Sequence, residues 1–249
     1  MNRLTCLLLV LAACDVRTVS VRGAVMHTPG DKSRGLADAT LTIHDQFGAP
    51  FDEDVTNLQG RFRVEAPAGR RIFAVVDVEG YARSSFTGAS ATGEIMNVPD
   101  GQIYAVPPSV LGGWLDAFEG CPGLDGDGGI VIGEVRAVDL VDPDTGVSPI
   151  ITTASSSFIH VDGTDRSGCY LDADGVAYDP TAEVNGPSGW FLVADVPAGV
   201  GTLVLDYYSF ENPDGSKDDA RRVTFDVYMP AGGVAPRFPT WVEAPLASL

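Results

Sequence analysis

Three histidines, four cysteines and two glycine-flanked acidic stretches are the residues of this chain whose chemistry could be put to work. His27, His44 and His160 stand outside any HExxH metalloprotease pattern, and neither a GxSxG nucleophile elbow nor a GxxxxGK[ST] phosphate loop occurs. A Ser/His/Asp relay assembles only in a fold, so spacing alone leaves it open. His44 is the polar member of an alternating run and reads as solvent-facing. The chain reads as a non-enzyme that needs no cofactor. The stretches Asp125-Gly126-Asp127-Gly128-Gly129 and Asp172-Ala173-Asp174-Gly175 have the composition of calcium-loop fragments. Neither supplies the closing bidentate Glu of an EF-hand, and Asp-Gly is also common turn chemistry. Asp125, Asp127, Asp172 and Asp174 therefore stand as weak calcium candidates beside the plainer reading of turns.

The N-terminus carries a different chemistry. Met1-Asn2-Arg3 is a small basic start, and Leu4 to Ala13 is almost wholly apolar. That run falls short of the roughly 20 residues a permanent span requires and has the make-up of a secretory signal over residues 1–13. Leu11-Ala12-Ala13-Cys14 resembles the bacterial lipobox. The resemblance implies cleavage before Cys14, lipidation of that cysteine, and residues 14–18 as anchor and short tether. Several acyl chains hold a protein stably where one does not, so the expected location is the cell envelope, on a membrane. Asp15 resembles an inner-membrane retention signal whose use differs among lineages, which leaves the leaflet open.

On that reading Cys6 leaves with the signal and Cys14 takes the lipid. Cys121 and Cys169 remain, and in an oxidising compartment such a pair is expected to form a disulfide. A metal site or reactive thiol is the alternative, although no CxxC and no neighbouring histidine accompanies them. The formal charge of −18, from 34 acidic and 16 basic residues, argues against nucleic acid, whose binding depends on Lys and Arg meeting phosphates. It also argues against purely electrostatic attachment to anionic head groups.

The elements that must carry these residues are strands. Ala39-Thr40-Leu41-Thr42-Ile43-His44 and Arg222 to Met229 alternate apolar with polar, the period of a sheet with one buried face. The chain also repeats itself. Val21-Arg22-Gly23-Ala24-Val25 matches Val131-Ile132-Gly133-Glu134-Val135. Gly60-Arg61-Phe62-Arg63-Val64 with Pro67-Ala68-Gly69 matches Gly189-Trp190-Phe191-Leu192-Val193 with Pro197-Ala198-Gly199. Phe62, Val64, Phe191 and Val193 are expected to point inward.

The Val-x-Gly-x-Val start, Thr56 to Phe62, Pro67-Ala68-Gly69 and Gly80-Tyr81 resemble the carboxypeptidase regulatory-like domain. The resemblance covers residues 19–88 and implies a transthyretin-like sandwich that is accessory rather than catalytic. The second copy departs from it where Ser209-Phe210 replaces Gly-Tyr. The expected architecture is all-β: two tandem Ig-like/transthyretin-like β-sandwiches over 19–107 and 129–249, joined by a short connector over 108–128.

In that connector, Val110, Leu111, Trp114, Leu115 and Phe118 fall on one helical face. If Phe191 and Val193 point inward, Trp190 and Leu192 point outward, where the first copy has Arg61 and Arg63. An apolar outer face marks a contact. Trp190, Leu192 and Trp241 are thus candidates for an interaction surface, covered either by the connector or C-terminal stretch or by a ligand. The function expected is a non-catalytic, lipid-anchored scaffold whose partners are the membrane, envelope proteins or glycans. A carbohydrate- or calcium-binding module using Trp190, Trp241, Tyr207 or the acidic loops is the alternative.

Overall fold

The computed structural model describes residues 17–139, 151–153, 157–211 and 217–244. The expected signal segment, residues 1–13, and Cys14 lie outside them. In chain order the elements begin with β1 (Thr18–Met26), β2 (Thr40–His44), β3 (Pro50–Val55), β4 (Arg61–Pro67), β5 (Arg71–Asp77), β6 (Ser84–Ala89), β7 (Ile95–Asn97) and β8 (Ile103–Tyr104). Helix α1 (Pro108–Ala117) follows, then β9 (Gly129–Asp139), β10 (Ile151–Thr153), β11 (Phe158–Val161) and β12 (Cys169–Tyr170). The chain continues with β13 (Trp190–Val196), β14 (Gly199–Glu211), β15 (Lys217–Met229) and β16 (Val234–Ala244).

Period-two alternation decides which side chains enter each core. In the first half, β4-β1-β7, with β8 also on β1, faces β3-β2-β5-β6. Val19, Val21 and Val25 meet Leu41 and Ile43, Phe62, Val64 and Ala66, and Ile72, Ala74 and Val76 in one buried cluster. In the second half, β12-β13-β9-β16 faces β11-β14-β15. There Val131 and Val135 pack with Ile159, Val161, Phe191, Val193, Leu203, Leu205, Val227 and Met229. The molecule is thus an all-β protein of two sandwiches.

The halves repeat one local design. Gly23 pairs with Phe62 across β1 and β4, and Gly133 pairs with Phe191 across β9 and β13. A β-carbon on Gly23 would lie 2.9 Å from Phe62 Cζ, and one on Gly133 would lie 2.8 Å from Phe191 Cζ. In each half the phenylalanine ring rests on the bare backbone opposite, which explains the glycine of Val-x-Gly-x-Val. The preceding turns also agree. Gly60 and Gly189 hold φ of 73° and 72°, conformations open to glycine at little steric cost. Their carbonyls accept from Val25 N at 2.9 Å and Val135 N at 2.8 Å.

The two sandwiches are more than tethered. β16 runs parallel to β9 along most of its length and meets β6 of the first half at Val234↔Ser84. One nine-stranded sheet, β12-β13-β9-β16-β6-β5-β2-β3 with β10 on β9, therefore runs through both halves. A third core fills the junction: Ala24, Met26, Tyr104 and Val106 from the first half, Ile132, Leu192 and Ala194 from the second, and Phe118 and Cys121 between them. The connector, expected to pack against one sandwich, is the lid of this core shared by both.

Candidate functional site

The junction gathers most of the residues singled out in the sequence. Pro108 occupies the first turn of α1, where a missing N–H costs nothing. The helix lays Val110, Leu111, Trp114 and Leu115 against the outer face of β9 and β13. Cys121 and Cys169 are joined in a disulfide with Cα atoms 5.9 Å apart, and Cys169 pairs with Leu192. The bridge thus pins the connector to the strand it covers. Leu192 does point out of its own sandwich, yet it is fully buried beneath this lid, and Trp190 packs half-buried against the same cluster. Neither forms an open platform: of the covers expected for this outward face, the connector is the one that lies over it. The reason is that a covered outer face needs apolar residues, whereas Arg61 and Arg63 of the first half remain exposed. Trp241 lies on β16 opposite Arg136, with its side chain outside the described part.

The acidic loops are explained by local geometry. Asp172 turns Oδ1 onto the Val176 amide at 2.9 Å, and its carbonyl accepts from Gly175 N, a side-chain-closed turn. Asp125 and Asp127 are exposed. The glycines around them wrap Asp195: a β-carbon on Gly126 would lie 2.6 Å, and one on Gly128 2.5 Å, from its nearest atom. Asp195, at φ 53° in an irregularity of β13, accepts from Gly128 N at 3.0 Å and pairs with Arg166 at 2.5 Å. Among the described residues no group of three or more His, Cys, Asp or Glu side chains could hold a metal ion.

His27 and His44 serve packing. His27 Nε2 lies 2.8 Å from Tyr81 Oη. His44, expected in solvent, is buried, bonded through Nδ1 to the Gly48 carbonyl and stacked 4.5 Å from the Tyr228 ring. The correction has a clear cause: β15 covers the face of β2 and β5 that alternation assigned to water. Ser85 and Thr87 of β6 donate to the Tyr228 and Asp226 carbonyls of β15. Arg237 reaches Thr87 Oγ1 at 2.6 Å and the Asp226 carbonyl at 2.5 Å, and burial pushes its guanidinium down to about 10.

His160 sits opposite Ser167, near Asp206, but makes no relay with them. Its buried Nδ1 has no hydrogen-bond partner, and Arg222 grips the Asp206 carboxylate in two bonds of 2.6 and 2.8 Å. That grip holds Asp206 below the usual carboxylate range. A groove of about 850 Å³ runs alongside, lined by Phe158, Ser167, Asp206, Tyr207, Arg221 and Arg222 among others. Tyr207, an expected ligand contact, is 6% exposed and belongs to the second core.

Sequence reasoning found the disulfide pair and the inward residues. It missed Gly48, Tyr228 and Arg237, whose partners lie across the junction, and the exposed Phe47 and Phe51. A turn signal at Asp45 and Gly48 was the available clue to the latter.

No family model matches the chain, and no curated protein is similar to it. Among solved structures, the Bacillus anthracis TIE protein aligns at 15% identity over 92% of this chain with a TM-score of 0.28. This chain spans 34% of that protein's length. The minor pilin GBS52 of Streptococcus agalactiae aligns at 11% identity over 93% of this chain and 97% of its own, with a TM-score of 0.27. The shaft pilin SpaA of Lactobacillus rhamnosus GG gives 12% identity over 94% of this chain and 99% of its own, at a TM-score of 0.28.

Proposed function

We propose that this chain is an exported, non-catalytic lipoprotein whose body is a stiff scaffold held at a membrane by Cys14. Residues 1–13 are the signal. The units at 19–107 and 129–249 are two divergent copies of a carboxypeptidase regulatory-like sandwich, with 108–128 between them. The observation that carries the reading is the joining of the halves by β16, which runs along β9 and meets β6 at Val234↔Ser84, reinforced by a shared core and a disulfide. Such a body resists bending at its middle, as a spacer or docking platform must. The described chain begins at Arg17, three residues after Cys14. At about 3.5 Å per residue that allows a tether of only about 10 Å. His27, His44 and the Asp206–Arg222 pair are engaged as structural groups, which supports a role in contact rather than bond-making. Envelope proteins or glycans are the partners this scaffold would meet.

The test is metabolic labelling with a palmitate analogue and detergent phase partition. The wild type takes up label and enters the detergent phase; Cys14→Ser does neither. An unlabelled wild type that stays in the aqueous phase overturns the proposal.

A further inference from the structure

Resting on the Cys14 anchor just proposed, we infer that the end of the first sandwich bearing Phe47 and Phe51 lies against the lipid surface. β1 enters the fold at Thr18, which pairs with Pro67, and the Arg17 carbonyl accepts from Ala68 N at 2.8 Å. Pro67 and Arg70 line the same shallow depression as Asp45, Phe47 and Phe51. Pro67, one strand spacing or roughly 5 Å from Thr18, thus stands both beside the point where the chain leaves toward its anchor and in the wall of the depression that holds the aromatics.

The aromatics are held out deliberately. Asp45 Oδ1 accepts from the Phe47 and Ala49 amides, both at 2.9 Å, and Gly48 closes the turn at φ 82°. Phe47 is left 79% exposed and Phe51 38% exposed. Val200 of the second half, 42% exposed, joins them: a β-carbon on Gly48 would lie 3.0 Å from its Cγ2. Both halves thus add apolar side chains to one patch at one end.

Charge points the same way. With 34 acidic and 16 basic residues, the body as a whole is repelled by anionic head groups. Only a face that collects arginines can approach them: Arg70 stands exposed in the wall of this patch and Arg17 is exposed at the adjoining chain entry, while the Asp45 carboxylate of the same wall is engaged by the turn amides. Aromatic side chains rimmed by arginine suit the boundary between head groups and acyl chains. The lipid anchor then sets the distance, and the patch sets the orientation.

The experiment uses full-length lipidated protein in phosphatidylcholine–phosphatidylglycerol vesicles containing brominated acyl chains. Trp is placed at the patch by Phe47→Trp and, for comparison, at the opposite end of the sandwich by Leu58→Trp, a site 84% exposed. An indole at position 47 enters the boundary to about 5–10 Å and loses roughly half of its added emission; the one at position 58 is unaffected. Protein that fails to sediment with vesicles overturns the anchor reading and this one with it. Sedimentation with both indoles equally unquenched overturns the orientation alone. Emission from position 47 already shielded before lipid is added, and dependent on protein concentration, assigns the patch to a second copy and also overturns it.

Discussion

A β-carbon added at Gly133 would meet the Arg237 carbonyl oxygen of the neighbouring strand and, at 2.8 Å, Phe191 Cζ. At Gly23 the nearest atoms are Phe62 Cζ at 2.9 Å and Val98 Cβ at 3.0 Å, both side chain. Side chains can yield where a hydrogen-bonded backbone cannot. Gly23→Ala should therefore cost about 1 kcal/mol and Gly133→Ala about 3 kcal/mol, within the range for overpacked sites, read from urea midpoints. Phe62→Leu should restore part of the first loss, whereas Phe191→Leu should leave most of the second. Equal losses at the two glycines would contradict the backbone argument. The repeated Val-x-Gly-x-Val was plain in the sequence, but its cause was not, because the ring that demands the glycine arrives from a strand some forty to sixty residues later. His44 shows the opposite case. Alternation correctly set it on the outer face of β2, and only the unseen approach of Tyr228 turned that face into an interior.

At the scale of elements, the connector is where local signal and tertiary role meet. The apolar face of α1 was legible from spacing, and so was the pairing of Cys121 with Cys169. The join between β16 and both halves was not, since parallel pairing across long crossovers leaves no local trace. The helix of the lid has few resources of its own: Gly112 and Gly113 lower helix propensity, and no residue of α1 is fully buried, the buried Phe118 and Cys121 lying beyond its end. Its hold on Leu192 depends on the disulfide, which closes a separation of 48 residues. Chain entropy puts that cross-link at about 4 kcal/mol. The Cys121→Ala/Cys169→Ala protein should unfold at lower urea by an amount in the range of about 2–4 kcal/mol. It should also show a red-shifted native emission as Trp114 and Trp190 lose their cover. A double variant with unaltered emission and stability would mean that the lid holds without its pin.

For the whole molecule the question is whether two sandwiches behave as one. Tandem units joined by a flexible link unfold separately, each with its own midpoint. Here the first half presents the outer faces of β1 and β2 to the second, and β16 hydrogen-bonds into both. Cutting the molecule between its sandwiches would expose Ala24, Met26, Tyr104 and Val106 on one side and Ile132 and Leu192 on the other. It would also strip partners from His44, Thr87 and Arg237. Burial lost on that scale, at about 25 cal/mol per Å² of apolar surface, is comparable with the few kcal/mol by which a domain is stable. Urea unfolding should therefore give coincident midpoints for tryptophan emission, which reports the junction, and for hydrogen exchange of the β2 and β5 amides, which report the first core. Ending the chain at Met229, which deletes β16, should abolish protection in both cores, because it opens the edges of β9 and β6 together. If the first core keeps its protection after that deletion, the sandwiches are independent, and a stiff scaffold would have to draw its rigidity from somewhere other than the shared sheet.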